Sequence, residues 1–94
     1  ICPAVTNLRA SSMTGSVRLT WTASAGAEGY LIYGMNGANS NYYYIGMTTR
    51  GTAFTDVKAS KSEWNFYWVF PYHKNAEGKM ITGGTAKYVF GKAK

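Results

Sequence analysis

The 94-residue chain is poor in the residues from which enzymes build active sites. It holds four Asp and Glu residues in total, one histidine (His73) and one cysteine (Cys2). Nucleophilic catalysis needs a nucleophile held by a base and oriented by a third group, and a metal site needs clustered ligands. The sequence shows no such cluster, and Glu28 and Asp56 fall in separate predicted loops. We therefore predict no enzyme activity, no catalytic residue, no metal site and no cofactor.

Long apolar runs and paired cysteines are also missing. No run reaches the roughly 20 residues of a membrane-spanning helix, so we predict no membrane span. A single cysteine cannot close an internal disulfide, and we expect Cys2 at a frayed N-terminus. The length and the 46% hydrophobic content suit one core and not two. We assign residues 1–94 to one module, with 91–94 as the start of a linker. Since the chain begins with Ile and shows no signal peptide, we expect it to come from a longer polypeptide.

Acidic residues are outnumbered, with ten Lys and Arg against four Asp and Glu and a formal net charge of +6. This balance permits a polyanionic partner. Lysines scattered over strands, however, usually keep a protein soluble and block sheet edges. Because arginines are few as well, nucleic acid is the disfavoured partner.

Strand patterns run along the whole chain, and no segment shows a sustained helical period. Residues 17–21 alternate apolar and polar side chains, as a half-buried strand does. Residues 64–72 form the longest aromatic and β-branched run. Further strands are predicted at 4–10, 29–34, 42–47, 53–55 and 79–90. Turns are predicted at 36–41, 50–51 and 75–78, with a bulge or kink at Gly83-Gly84. About seven strands joined by turns predict an antiparallel β-sandwich or a small barrel.

These segments resemble a fibronectin type III domain over nearly the whole chain. Val17-x-Leu19-x-Trp21 is similar to the second strand of that family with its buried tryptophan, and residues 29–33 (Gly-Tyr-Leu-Ile-Tyr) are similar to the third. Residues 65–72 resemble the sixth strand, in which Tyr67 and Val69 would face the core. The resemblance implies a seven-stranded antiparallel β-sandwich of immunoglobulin-like topology without catalytic activity.

The Tyr-rich segment 42–44 and the Lys-rich hairpin before the last strand are closest to bacterial members of the family. The resemblance therefore implies an accessory module of a secreted or cell-surface multidomain protein, acting as a spacer and as an interaction surface for neighbouring modules. Two features depart from the family pattern. Residues 57–62 (Val-Lys-Ala-Ser-Lys-Ser) stand where the family usually has Leu-x-Pro-Gly-Thr. The tyrosine corner falls at Asn65, so either the corner is lost or Trp64 takes its place.

Aromatic residues are concentrated in segment 64–72. Because alternate strand residues share a face, the even-numbered aromatics of this segment, Tyr72 included, would point away from a core that holds Tyr67. We expect them beside Leu31 and Tyr33, and beside Lys87 and Val89 of the last strand. The candidate binding surface is Tyr33, Trp64, Phe66, Trp68 and Phe70.

Several uses are open for this surface. It could pack against a neighbouring module or under the chain's own loops and lysine stems, or it could recognise a protein partner. It could also stack on the sugar rings of a polysaccharide, with Tyr42–Tyr44 as part of the platform. The chain would then be a carbohydrate-binding module attached to a glycoside hydrolase or an adhesin. Stacking on single-stranded nucleic acid is the weakest alternative.

Three single residues receive structural expectations. Trp21 is expected in the core, and His73 is expected in a solvent-facing loop. Tyr43 should lie on the face opposite Tyr42 and Tyr44, since neighbouring strand residues point to opposite sides.

Overall fold

The computed structural model of the chain describes residues 2–36, 39–84 and 88–94. Their regular structure is all β, in eight strands: β1 (Thr6–Met13), β2 (Ser16–Thr22), β3 (Gly29–Asn36), β4 (Asn39–Thr49), β5 (Ala53–Asp56), β6 (Asn65–Lys74), β7 (Met80–Thr82) and β8 (Val89–Gly91). None of these residues forms a helix that could cross a membrane. Two predicted segments lie partly outside the described ranges. They are the predicted 36–41 loop, at residues 37–38, and the predicted last strand, at residues 85–87, which include Lys87.

The strands form two antiparallel sheets, which confirms the predicted β-sandwich. One sheet has the order β1-β2-β5, and the other has the order β4-β3-β6-β7 with β8 also paired to β6. The single last strand predicted over 79–90 is present as two short strands, β7 and β8, which pair with opposite ends of β6. Gly83 follows β7 and lies so close to the carbonyl of Cys2 that any side chain there would clash. The strand therefore breaks where the N-terminal segment crosses it.

The core lies between the two sheets and is built from alternate residues of the strands. Its buried members are Val5, Val17, Leu19, Trp21, Tyr30, Ile32, Tyr67 and Val69. In β6, residues 65, 67 and 69 are buried, whereas residues 66, 68 and 70 are half-buried on the other side. This alternation confirms that Trp21, Tyr67 and Val69 face the core, as the sequence predicts.

Asn65 stands where the resemblance places a tyrosine corner, and it binds the 57–64 loop to the sheet. Its amide Nδ2 donates hydrogen bonds to the carbonyl oxygens of Ser60 and Gly91, both at 3.0 Å. Its Oδ1 accepts one from the Ser60 backbone N–H at 3.1 Å. Trp64 is about half exposed, so it does not replace the missing ring. The buried amide of Asn65 therefore links the 57–64 loop to the sheet, in the place where the family has its tyrosine corner.

A buried carboxylate, Asp56, closes the core at the end of β5. The Tyr67 hydroxyl donates to its Oδ2 at 2.7 Å, and the Lys58 backbone N–H donates to its Oδ1 at 3.1 Å. Burial, followed by the hydrogen bond and the charge of Asp56, raises the pKa of Tyr67 far above its ordinary value of 10.0. Burial and the same charge also raise the pKa of Tyr43. The phenol of Tyr67 is thus held in its neutral form.

We expect Tyr67 to make the fold sensitive to alkali. The pKa of Tyr67 in the folded chain lies above its unfolded value of about 10, so its contribution to the free energy of unfolding is complete below that pH. As the pH rises further, this contribution is lost by up to about 1.4 kcal/mol per pH unit. Urea denaturation at about pH 9 and about pH 11 measures the loss. Tyr67→Phe should remove this part of the pH dependence, whereas Tyr44→Phe, at an exposed tyrosine, should keep it. An unchanged slope in Tyr67→Phe would contradict the assignment.

The two termini leave from opposite ends of a domain that measures 44 × 23 × 19 Å. At one end, the Pro3 carbonyl accepts a hydrogen bond from the Ser24 hydroxyl. At the other end, the Lys94 backbone N–H donates to the Met13 carbonyl at 2.8 Å, and Ala93 is buried. Residues 91–94 are therefore bound to the domain here, and the connector expected at this point stays a prediction.

Candidate functional site

Eight aromatic side chains of the described residues share the outer face of the five-stranded sheet, on the side away from the core. They are Tyr33, Tyr44, Trp64, Phe66, Trp68, Phe70, Tyr88 and Phe90, and we call them the aromatic face. Strand register brings them together, since Tyr33 pairs across strands with Trp68 and with Tyr44, and Phe66 pairs with Phe90. Directly opposed residues of an antiparallel pair project to the same side. The aromatic face therefore extends over β4, β3, β6 and β8.

The rings contact one another mostly edge to face. Around Phe90, the centroid of Trp64 lies at 5.3 Å and that of Phe66 at 5.9 Å. Tyr88 lies 5.4 Å from Phe66 and 5.8 Å from Trp68. A second group centres on Tyr33, whose ring centroid lies 5.6 Å from that of Phe70 and 5.7 Å from that of Tyr44. The two groups meet at the Tyr33–Trp68 pair, so the surface is continuous.

Half of these rings are strongly exposed. Phe90 is 53% exposed, Tyr44 51%, Trp64 49% and Tyr88 42%, and the other four are half-buried. Soluble monomers seldom expose large contiguous apolar patches, and such patches usually mark an interaction site. The aromatic face is therefore the candidate functional site of the chain.

All five residues of the candidate surface deduced from the sequence, Tyr33, Trp64, Phe66, Trp68 and Phe70, lie on the aromatic face. Their role in binding stays a prediction. Tyr72, expected among them, is instead buried, because its ring covers Gly29, where a Cβ would collide with it.

The last strand presents different residues from those expected. Val89 packs toward the core, whereas its neighbours Tyr88 and Phe90 are exposed on the aromatic face. Lys87, the other expected member, lies outside the described residues. The pairing of Phe66 with Phe90 decides which residues of β8 point to the aromatic face and which to the core. Alternation along the sequence could not predict this orientation, because the strand is interrupted before β8 and the alternation of β7 does not continue into β8.

The tyrosine run of β4 divides between the two sides, as expected for consecutive strand residues. Tyr44 contacts Tyr33 on the aromatic face. Tyr43 pairs with Gly34, which is buried, and lies near the carboxylate of Asp56. The side chain of Tyr42 lies outside the description.

Two shallow clefts indent the aromatic face. One, of ≈ 280 Å³, is lined by Leu31, Tyr33, Phe70 and Thr82. The other, of ≈ 300 Å³, is lined among the described residues by the rings of Trp64, Phe66 and Phe90. Phe66 and Phe70 are four residues apart on β6, so the clefts are separated by about 13 Å along the strand. The first cleft combines apolar side chains with the hydroxyl groups of Tyr33 and Thr82, and the described lining of the second is aromatic, so each can hold an apolar group.

A lysine ammonium borders the second cleft. The Nζ atom of Lys92 lies 4.6 Å from the centroid of the Trp64 ring, in a cation–π contact. Since this ammonium covers part of one indole face, Trp64 does not offer that face freely for stacking on a flat ligand.

Cys2 and His73 differ from their expected environments. Cys2 is buried rather than frayed, and its Sγ lies 3.6 Å from Nδ1 of His73. His73 is a half-buried residue of β6 and not part of a loop, because β6 continues to Lys74 and pairs there with β7. Across the described ranges, no group of three or more His, Cys, Asp or Glu residues could hold a metal ion.

Comparisons with known proteins identify the fold. No protein-family model matches the sequence, and no curated protein does either. Among solved structures, 99% of the chain superposes on a β-1,2-glucanase from Parabacteroides distasonis, with a TM-score of 0.77 and 14% identity. The chain spans only 13% of the length of that protein.

Two further structures match most of their own length. An Fn3-like protein from Clostridium thermocellum shares 22% identity, with 88% of each chain covered and a TM-score of 0.63. An FN3 domain of human collagen XX shares 21% identity, covering 86% of this chain and 91% of that one, with a TM-score of 0.63. The fibronectin type III fold predicted from the sequence is thereby confirmed.

Proposed function

We propose that the chain is a non-catalytic accessory module of a larger secreted or cell-surface bacterial protein, and that its aromatic face is a protein-interaction surface. The observation that carries this proposal is the exposure of the rings. The chain already buries a core of its own, yet four aromatic side chains remain between 42% and 53% exposed. Trp, Tyr and Phe in such positions supply much of the binding free energy of protein interfaces.

The comparisons support the accessory role. The chain matches a 13% portion of a glucanase chain and matches isolated FN3 domains over most of their length. Termini at opposite ends of a 44 Å domain suit a module placed between other domains. A neighbouring module of the same polypeptide is therefore the first partner to consider.

A polysaccharide is the second candidate partner. Exposed rings such as Trp64 and Tyr44, together with the likeness to part of a glucanase, favour it. The lining of the clefts favours protein instead. Sugar hydroxyls need several hydrogen-bonding side chains beside the stacking ring, whereas the described lining of the second cleft is the aromatic set Trp64, Phe66 and Phe90, with the Lys92 ammonium at its edge. Apolar side chains of a protein need no such partners.

Peptide selection tests the proposal without a known partner. A random peptide library is selected on the immobilised chain, and the enriched peptides are measured against two variants. Trp64→Ser/Phe90→Ser removes two exposed rings of the aromatic face. Met13→Ser/Val57→Ser removes two exposed apolar residues elsewhere and serves as the matched control. Circular dichroism verifies that both variants remain folded.

We expect the selected peptides to lose at least about tenfold in affinity for Trp64→Ser/Phe90→Ser and to bind the control variant as they bind the native chain. Peptides that bind all three proteins equally would overturn the proposal. Tryptophan emission titrated with β-1,2-glucan and other soluble polysaccharides tests the alternative. A saturable change that is insensitive to salt would favour the carbohydrate-binding module over the protein-interaction surface.

A further inference from the structure

The geometry points to an acidic partner for the aromatic face: a polypeptide segment that places two apolar side chains in the two clefts and carboxylates beside Lys92. This inference rests on the proposed function and adds the chemistry of the partner. It is drawn from the charges around the face and from the spacing of the clefts.

The outer face carries more positive than negative charge. The described strand positions of this face hold no carboxylate, and lysines stand at its two ends. Lys74 is the last residue of β6 and stands at one end of the face. Lys92 stands at the other end, against the ring of Trp64, which lies just before β6. A surface of this kind attracts acidic partners and repels basic ones.

The two ends differ in what lies beside the lysine. At the Lys74 end, the carboxylate of Glu28 accepts a hydrogen bond from the Lys74 backbone N–H at 3.0 Å. At the other end, the ammonium of Lys92 lies against the Trp64 ring. A ring face holds an exposed ammonium only weakly. A partner carboxylate therefore gains most beside Lys92, next to the wholly apolar cleft.

The clefts fix the spacing of the apolar groups. Both open on the same face, about 13 Å apart along β6, and each is lined by a Phe of that strand. An extended peptide advances about 3.3 Å per residue, so side chains four residues apart span the same distance. Glutamates just before the first apolar residue would then lie close to Lys92.

A second copy of the chain fits these features poorly. It would bring another net charge of +6 and another lysine to an interface that already carries Lys74 and Lys92. Like charges that face each other across an interface oppose association. The charge pattern therefore selects an acidic partner over self-association.

Two synthetic peptides test the inference. Each has seven residues with leucine at the third and seventh positions, and the first two residues are glutamates in one peptide and lysines in the other. Isothermal titration calorimetry measures their binding to the native chain in about 0.02 M and about 1 M salt. We expect the glutamate peptide to bind at least about tenfold more tightly in low salt. High salt should reduce this preference, because the screening length falls to about 3 Å at 1 M.

Two charge-reversal variants locate the effect. Lys92→Glu should abolish or reverse the preference for the glutamate peptide. Arg18→Glu changes the net charge equally at an exposed position of β2, in the other sheet, and should leave the preference unchanged. Equal binding of both peptides to the native chain, or a preference that survives Lys92→Glu, would overturn the inference.

The outcomes also separate this inference from the proposed function. If neither synthetic peptide binds while library-selected peptides still need Trp64 and Phe90, the acidic partner is wrong and the protein-interaction surface stands. If the glutamate peptide binds Trp64→Ser/Phe90→Ser as tightly as the native chain, both proposals are wrong.

Discussion

Trp21→Ala is expected to destabilise the domain by about 3–5 kcal/mol, the usual effect of emptying a large aromatic site in a core. Trp21 is only 6% exposed and meets Tyr30 edge to face, with ring centroids 5.2 Å apart. Its indole Nε1 has no hydrogen-bond partner among the described residues. The loss will therefore reflect packing alone, and it amounts to a large part of the stability of a small domain.

The same substitution at Trp64 is the matched control. Trp64 is about half exposed and contributes an edge contact with Phe90 and the cation–π contact with Lys92, but no core packing. We expect Trp64→Ala to change the free energy of unfolding by no more than about 1 kcal/mol. Urea denaturation followed by circular dichroism measures both variants. A loss below about 1 kcal/mol for Trp21→Ala would show that β2 is wrongly placed.

The sequence was informative wherever side chains alternate along an uninterrupted strand. In β2, the apolar residues Val17, Leu19 and Trp21 face the core as predicted. In β6, the alternation places Tyr67 inside and Trp68 outside. A period of two residues is a local property of an extended chain, so it survives without knowledge of the partner strands.

The candidate site could be predicted only in part, because its remaining members depend on pairing between distant segments. Tyr88 and Phe90 join the aromatic face since β8 pairs with β6 in one register, and that register follows a break in the last strand. Tyr72 leaves the face because Gly29, 43 residues earlier in sequence, has no side chain and accepts its ring. Neither effect is encoded in the local pattern.

Cys2 illustrates the same limit at the N-terminus. A residue next to a chain end is ordinarily frayed, and nothing near Cys2 in sequence predicts burial. The segment is held by contacts with distant residues instead, since Cys2 meets His73 and the carbonyl of Pro3 accepts a hydrogen bond from Ser24. Local reasoning therefore misplaced both Cys2 and His73.

The second large effect is expected at Asn65, where Asn65→Ala should cost about 2–4 kcal/mol. The side chain is 3% exposed and satisfies the Ser60 backbone N–H and the carbonyl oxygens of Ser60 and Gly91. Alanine offers no replacement for these bonds, although the Ser60 carbonyl keeps the hydrogen bond that it accepts from the Ala93 backbone N–H at 3.1 Å. Each buried polar group left without a partner costs about 1–3 kcal/mol. Water that enters the loop will recover part of that cost, so the total should stay below the sum.

Asn75→Ala provides the control, because it deletes the same side chain from an exposed turn. There, Asn75 Oδ1 accepts from the backbone N–H groups of Glu77 and Lys79 at 2.9 and 3.0 Å. Solvent can satisfy both groups after truncation, so a loss of less than about 1 kcal/mol is expected. Urea denaturation of Asn65→Ala and Asn75→Ala measures the loss in free energy of unfolding for each variant. Equal losses would mean that Asn65 acts as an ordinary loop residue and that the 57–64 loop is held by other contacts. A much larger loss at Asn65 would establish that a buried amide performs the structural work of the absent tyrosine.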